Sequence, residues 1–357
     1  MARNLPIPQM LLIALFGECS AQRKVFVSNY LALFRSNGRE EMRMKIRSLS
    51  FPGPFWDGSL ARNPGGSISL TDRLIRKMVW YAVKFRNRTY VAYEKALTHI
   101  LPGKPLRILV EEYPDWQRQI RRGFRSTPHE LVFGPISEGS RAEFDVVMPI
   151  QIQELMRAHQ WPEFLKANPI PIPSEECISL CDDKFKFGQT LIKTGFGEYI
   201  PMMTQDGELK PPYILKKRIG YWGKDCWVVR TRKEEWIASD KRNDPAFYRQ
   251  RIVPGPVEFA THILFEKGRI VKALNIKYKF GKDIPIKGQD KPLYTVIHRC
   301  PYLDLFGKIL RSIDFQGICC VNYKVERGNP YILEINPRIG GSLTPFFFSF
   351  MRHLNVG

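Results

Sequence analysis

Apolar and polar positions change period along the chain, and each change marks a different kind of segment. Leu74, Met78, Tyr81 and Phe85 recur at helical spacing. Ser69-Leu-Thr-Asp72 opens that run with an acid three residues after a hydroxyl, as in a capping box, and Leu101-Pro-Gly103 closes it. The spacing predicts an amphipathic helix over 70–100, with Arg73, Arg76, Lys77, Lys84, Arg86 and Arg88 around its stripe. From about 105 the texture becomes α/β. The apolar runs 106–110 and 144–150 read as strands, and 151–166 reads as helix. Pro169, Pro171 and Pro173 make a stiff connector. A helical segment follows Asp183, and strands are expected at 213–217, 226–230, 257–265, 270–276, 317–325 and 330–335. Gly328-Asn329-Pro330 is a turn signal that makes the last two a hairpin. Residues 1–70 carry no period. They are punctuated by Pro52-Gly53-Pro54 and Pro64-Gly65-Gly66, with basic residues gathered over 39–47.

These periods divide the 357 residues into a basic extension (1–104), a small α/β unit (105–170) and a larger C-terminal unit (171–357), in keeping with two or three packed units for this length. No window approaches the ~20 apolar residues needed to span a bilayer. The apolar run 10–16 follows Arg3 but lacks a small-residue cleavage site, so the secretory reading is the weaker one. Seven cysteines, at 19, 177, 181, 226, 300, 319 and 320, form no C-x-x-C pair. Cys319 and Cys320 would face opposite sides of a strand, which makes them poor joint metal ligands. Reduced thiols used as small hydrophobes in a cytoplasmic protein are the expectation.

Charge adds a class of partner. There are 55 Lys+Arg against 35 Asp+Glu, a formal +20. The first 100 residues hold 16 basic and 6 acidic side chains, half of that excess. Such a surface attracts polyanions: an anionic membrane face, an acidic substrate or, less favoured here, nucleic acid. Two readings of the 70–100 helix stay open. Its stripe packs on the body with the charges solvated, or it lies on a membrane with Trp80 and Tyr81 at the headgroups. The second would put a cytoplasmic protein at the inner face of a membrane.

The densest chemistry is Pro330-Tyr-Ile-Leu-Glu-Ile-Asn-Pro-Arg-Ile-Gly-Gly341. Glu334 and Asn336 are two apart and share a strand face, offering the hard oxygen donors that magnesium prefers. Arg338 would continue that face and could hold a phosphoryl oxygen. Asn322, across the hairpin, offers a third ligand oxygen.

The run Leu333-Glu-Ile-Asn-Pro-Arg338 resembles the magnesium motif of ATP-grasp enzymes, among them D-alanine–D-alanine ligase, biotin carboxylase and carbamoyl-phosphate synthetase. Four further segments match in the family's order over roughly 145–345. Asp183-Lys184 is similar to the pair that opens the ATP-grasp region, which implies that Lys184 approaches the phosphates. Pro212-Tyr-Ile-Leu-Lys216 resembles the strand whose lysine meets the α/β-phosphates and the adenine edge; Lys216 takes that role, with Lys217 as its rival. Gly220-Tyr-Trp-Gly-Lys-Asp225 resembles the phosphate-covering loop, where Gly220 and Gly223 let backbone N–H groups approach an anion. Gln250-Arg-Ile-Val-Pro-Gly-Pro-Val-Glu-Phe259 resembles the adenine hinge, with Gln250, Ile252 and Val253 at the base and Glu258 at the ribose. Departures are Gln250 and Asn322 where relatives carry acids, Val257 before Glu258, and the bulky Trp222.

The resemblance implies an α/β (α+β) protein: an ATP-grasp fold with a lid over about 188–262, preceded by a small α/β domain and the basic, partly helical extension. It implies ATP with Mg2+ (or Mn2+) held by Asn322, Glu334 and Asn336, with Arg338 and Lys216 as catalytic residues. The activity implied is an ADP-forming carboxylate–amine ligase working through an acylphosphate. The alternatives are a degenerate nucleotide-binding regulatory or scaffolding module, or a protein tethered to membrane or nucleic acid by its basic region. Lys277, Lys279 and Arg230 are candidates for the substrate carboxylate, whereas His262 and His298 read as core or surface residues. The basic first 100 residues favour an anionic or membrane-associated acceptor, such as a surface-glycan or lipid-linked precursor. Oligomeric state is open: either a short last helix follows Pro345 or a partner completes that edge.

Overall fold

Alternation of period two drives the C-terminal half into strands, and the computed structural model, which describes residues 70–100, 103–205, 209–221 and 223–356, shows how they are layered. The irregular stretch 1–69, with its apolar run, basic cluster and Cys19, lies outside the described residues, as do Leu101, Pro102 and Trp222. Helix α1 (Leu70–Ile100) leads into strand β1 (Arg107–Glu111), helix α2 (Pro114–Phe124), and strands β2 (Glu130–Gly134) and β3 (Val146–Met148). These strands form a parallel sheet of order β2-β1-β3. The helix expected over 151–166 is two helices, α3 (Ile152–Ala158) and α4 (Pro162–Ala167). Pro162 has no N–H to continue the first and starts the second at its first turn. Next come α5 (Glu175–Asp182), capped by Ser174, and α6 (Lys184–Leu191), capped by Asp183.

A four-stranded antiparallel sheet contains β4 (Met203–Thr204), β5 (Tyr213–Lys217), β6 (Cys226–Val229) and β7 (Phe247–Arg251), in the order β4-β7-β5-β6. It is the sheet of the expected lid, although Val257 onward already belongs to the next one. That sheet is antiparallel and five-stranded, in the order β10-β9-β8-β11-β12. Its members are β8 (Val257–Glu266), β9 (Arg269–Lys279), β10 (Tyr294–His298), β11 (Gly317–Glu326) and β12 (Asn329–Asn336). Helix α7 (Leu303–Ser312) lies between β10 and β11 in sequence, and α8 (Phe348–Met351) follows the large sheet near the end of the described residues.

The two faces of the large sheet bury different cores. Ile263, Phe265, Cys319, Val321 and Tyr323 pack with Phe187 and Leu191 of α6 and with Phe306, Ile309 and Leu310 of α7. On the other face Leu264, Leu274, Ile276 and Ile318 meet Trp116, Ile120 and Phe124 of α2 and the aromatic run Phe347, Phe348 and Phe350. Further along that second face, at Cys320, Asn322 and Lys324, apolar packing gives way to an open cavity. The adjacent thiols therefore do face opposite ways, Cys319 into a core and Cys320 towards the cavity.

Strand β12 contains a bulge. Asn322 pairs with Glu334 but Tyr323 pairs with Ile332, so Leu333 is extra. One added residue reverses the phase of alternation. Ile332 and Ile335 consequently lie on the same core-facing side, while Glu334 and Asn336 turn to the cavity.

Helix α1 presents a different face to the body than the sequence suggests. Tyr81 and Phe85, which only the packed-stripe reading turns inwards, are exposed, whereas Tyr90, Val91 and Glu94 face the body. Polar groups decide the rotation. Asn87 donates to the Thr295 carbonyl (3.0 Å) and accepts from the Ile297 N–H (3.0 Å), closing free backbone groups of the edge strand β10. The Glu94 carboxylate is buried, bonded to Lys272 Nζ (3.0 Å) and within 3.0 Å of Arg352 Nη2. The C-terminal half of α1 is thus part of the core. Glu94→Ala would strand Lys272 and Arg352, so a loss of about 3 kcal/mol is expected. Urea unfolding checks this, and a loss below about 1 kcal/mol would reduce the cluster to the weight of a surface ion pair.

Candidate nucleotide and metal site

The cavity over the second face has a volume of about 860 Å³ and is bordered by the four-stranded sheet, the hairpin β11–β12 and α2. Its floor is the β12 face that the bulge exposes. Glu334 Oε1 accepts from Asn322 Nδ2 (2.7 Å) and Asn336 Nδ2 (3.2 Å). Burial would raise this carboxyl, but Lys184, Lys287 and Lys216 more than offset that and hold it at about 2. It is therefore ionised throughout the neutral range.

Each lysine is delivered by a separate element. Asp183 caps α6 by accepting from the N–H groups of Phe185 (3.1 Å) and Lys186 (3.0 Å), and it is clamped by Arg218 (Nε to Oδ2, 3.0 Å). Lys184 thereby starts the helix with its ammonium on the Gly220 carbonyl (2.7 Å) and 3.7 Å from Glu334 Oε2. Lys216 projects from β5 to Gln250 Oε1 of β7 (2.6 Å) and is buried. Lys217, one residue on, is exposed and also borders the cavity, so it is Lys216 that is buried against Gln250. Lys287, from the segment between β9 and β10, bonds Asn322 Oδ1 and lies 3.3 Å from Glu258 Oε1. Burial would lower its ammonium, but Glu258 above all keeps it above its usual value.

Other residues named by the sequence also border the cavity. Gly220, Gly223, Val253 and Glu258 line it, whereas Ile252 is buried behind with its carbonyl accepting from Arg251 Nη1 (3.3 Å). Gly223 has φ +63°, and a Cβ there would stand 2.5 Å from the Lys287 carbonyl oxygen. Only glycine suits that left-handed, crowded position. Arg338 lies past the end of β12 and lines the cavity with its guanidinium 5.5 Å from the Trp116 ring and 5.8 Å from Tyr221.

Three candidates are not in the cavity. Lys277 and Lys279 alternate with Ile276 and Tyr278, and it is the latter pair that lines it. Arg230 is exposed beyond the end of β6. His262 is fully buried with Nε2 2.8 Å from Ser342 Oγ, and burial pushes it down to about 3, so it is neutral. His298 is partly buried against Phe259.

Two cations were missed. Lys324 shares the Asn322 face of β11 and donates to the Gly255 carbonyl (2.7 Å). Burial lowers it to about 8, although Glu258 acts the other way. Counting by two from Asn322 would have found it. No pattern distinguishes Lys287 from the lysines around it.

Comparison with solved structures now bears on the fold. A phosphoribosylamine–glycine ligase of Thermotoga maritima superposes over 67% of this chain and 70% of its own, with a TM-score of 0.51 and 15% identity. The chain has the ATP-grasp fold. Looser superpositions run to a D-alanine–D-alanine ligase of Bacillus anthracis complexed with ATP (TM-score 0.44, 14% identity, 66% of this chain and 87% of that one) and to a putative ATP-grasp superfamily protein of Archaeoglobus fulgidus (0.45, 13%, 69% and 87%). At these scores they do not decide anything. An uncharacterized protein of Methanocaldococcus jannaschii is 32% identical over 65 residues, 18% of this chain and only 17% of that relative's length. No protein-family model matches.

The residues fit the ligands that an ATP-grasp fold implies. Lys184, Lys216, Lys287, Lys324 and Arg338 make a strongly cationic wall suited to a polyphosphate. Among the described residues no three His, Cys, Asp or Glu gather as a metal cluster. A metal would rest on the Glu334 carboxylate, the Asn336 amide oxygen and the nucleotide's own phosphates, which suits magnesium. The depressed Glu334 carboxyl also has a pH signature. Its unfolded form binds a proton near 4.5 and its folded form near 2, so the stability it contributes is present above about 4.5 and lost as pH falls towards 2. Denaturant unfolding should find wild type more stable than Glu334→Gln at pH 7, with the gap closing across that window. A gap independent of pH would contradict the charge balance.

Proposed function

We propose that this chain is an ATP-dependent ligase that phosphorylates a substrate carboxylate and passes the acyl group to an amine. The observation that carries the reading is the ionised Glu334 beside Asn336, ringed by lysines from three elements, in one cavity of an ATP-grasp fold. Lys184, Lys216 and Lys287 would neutralise the phosphates and orient them, and Glu334 and Asn336 would hold the magnesium ion. Bound magnesium would supply charge neutralisation at the transferring phosphoryl group. The carboxylate oxygen attacks the γ-phosphorus and ADP leaves with the bridging oxygen. The amine then attacks the acyl carbon of the acylphosphate, and phosphate departs. Such chemistry needs positioned charges rather than a protein nucleophile. Arg338, held between Trp116 and Tyr221, stands where the cationic wall meets the half of the cavity lined by Asp115, Gln119 and Phe346. That half would take the substrates, and Arg338 would hold the carboxylate or the phosphoryl group. The superposed phosphoribosylamine–glycine ligase is by name a ligase of an amine and glycine, a pairing of the same kind.

An anionic or membrane-associated acceptor is part of the proposal. Exposed Trp80, Tyr81 and Phe85 stand beside exposed Lys84, Arg86 and Arg88, with Lys84 3.5 Å above the Trp80 ring. Apolar rings among cations suit an anionic headgroup layer. No described helix is long and apolar enough to cross a membrane. Co-sedimentation with anionic liposomes should exceed that with neutral ones at ~0.15 M salt, where screening leaves only short-range contacts. Equal binding would remove the anionic acceptor from the proposal.

A second reading has its own observation. Lys287 occupies the oxygen of Asn322, as expected if the site binds nucleotide without turning it over. Magnesium-dependent ADP release, measured over carboxylates with and without amines, separates the two. Release that requires both substrates and falls at least a hundred-fold in Glu334→Gln is the expected outcome. Tight ATP binding without release across the panel would favour a nucleotide-binding regulatory module.

A further inference from the structure

Asn322 is the ligand oxygen that the sequence places first in the metal set, and its amide is already committed on both sides. Its Nδ2 donates to Glu334 Oε1 (2.7 Å), while its Oδ1 accepts from Lys287 Nζ. The partners fix this orientation, because an ammonium can only donate and an ionised carboxylate can only accept. Flipping the amide would set NH2 against NH3+. The same ammonium lies 3.3 Å from Glu258 Oε1 and 4.9 Å above the Tyr278 ring. It sits where oxygen atoms and a π face converge, as they would around a bound cation.

Lys287 is built into this position. Asp290 braces its segment by accepting from the Ile286 N–H (2.6 Å) and pairing with Lys282 (2.8 Å). Gln289 Nε2 donates to the Gly223 carbonyl (2.6 Å) and the Cys226 carbonyl (2.8 Å), tying the segment to the loop over the phosphate end of the cavity. The missing side chain at Gly223 lets the Lys287 backbone approach, since a Cβ would stand 2.5 Å from its carbonyl oxygen. A divalent ion at its usual ~2.1 Å from Asn322 Oδ1 would compete with the ammonium for the same oxygen and repel it.

We propose that Lys287 is a resident cation of the nucleotide site, so that the chain binds ATP with a single divalent ion seated on Glu334 and Asn336. The ammonium then fills the corner between Asn322 and Glu258 and meets the phosphates directly. This rests on the nucleotide-binding reading above and specifies its metal content.

Manganese electron paramagnetic resonance on the full-length chain, titrated with a non-hydrolysable ATP analogue, counts the ions. One Mn2+ per bound analogue is expected for the wild type. Lys287→Met should weaken the analogue at least ten-fold while retaining one Mn2+, with thermal melting confirming that the variant is folded. The double variant Asn322→Asp with Lys287→Met should acquire a second Mn2+. Two Mn2+ in the wild type, which needs no variant to read, would overturn the proposal while leaving the nucleotide site intact. So would analogue affinity within two-fold of wild type in a folded Lys287→Met. Failure of the wild type to bind the analogue at all would overturn the nucleotide-binding reading itself, and this proposal with it.

Discussion

A carboxylate partly withdrawn from water is costly unless cations accompany it, and Glu334, half-buried at the cavity floor, imposes that condition on everything around it. It cannot be neutralised by one partner, since the nearest ammonium, Lys184, is 3.7 Å away and also holds a backbone carbonyl. Three lysines from three elements share the task, and two amides point their NH2 groups at one of its oxygens. The cations exceed what one carboxylate requires, with Lys324 and Arg338 added along the same cavity. Such an excess is stable only because the cavity is open to solvent, and it leaves an attraction that an incoming polyanion would satisfy. The charge balance around Glu334 and the affinity expected for phosphates are therefore one property.

The backbone makes this possible by a small irregularity. In an unbroken β12, Glu334 would share a face with Ile332 and point into the core beside α7. The bulge at Leu333 reverses the alternation, so the strand keeps Ile332 and Ile335 buried and still delivers its acid and amide to the other side. The matching strand β11 needs no such device, because Val321 and Tyr323 face the core and Cys320, Asn322 and Lys324 alternate with them regularly. The hairpin thus joins a regular strand to a phase-shifted one, and the site lies where their faces coincide.

Much of this was legible wherever the period of the sequence and the period of burial agreed. Both strands of the hairpin, β5, β6, β8 and β9 fall within a few residues of where alternation puts them. Lys184, Lys216, Glu334 and Asn336 meet around one cavity as their motifs imply. Strand β7 was hidden because three of its five residues, Arg249, Gln250 and Arg251, are polar, yet its neighbours bury it by supplying partners such as Lys216. Of the two readings of α1, the one that packs its apolar stripe on the body fails for a related reason. Tyr81 and Phe85 look like the packing stripe, but Asn87 and Glu94 make the anchoring contacts, and hydrophobic spacing cannot register a buried polar anchor. Lys277 and Lys279 were one residue out of phase with the cavity, an error invisible without the register of β9. Lys287 depends on a loop path, for which sequence periodicity has no signal.

The same distinction separates what is general in this molecule from what is particular. The lysine-rich half of the cavity is built from the two antiparallel sheets, whose motifs follow one another in the chain. The other half is assembled from α2, the edge strand β10 and the turn ending at Phe346, with Asn87 of α1 closing the edge of β10. Helix α1 is fixed in turn by Glu94, which bridges to Lys272 on β9 and to Arg352 just beyond α8. That half therefore depends on side chains scattered over more than 200 residues and held by polar ties rather than by a contiguous motif. Changing the Glu94 cluster would disturb the shape of that half before it altered the charge around Glu334. The shape of that half is thus coupled to the stability of α1, whereas the cationic end depends on the hairpin and the lysines.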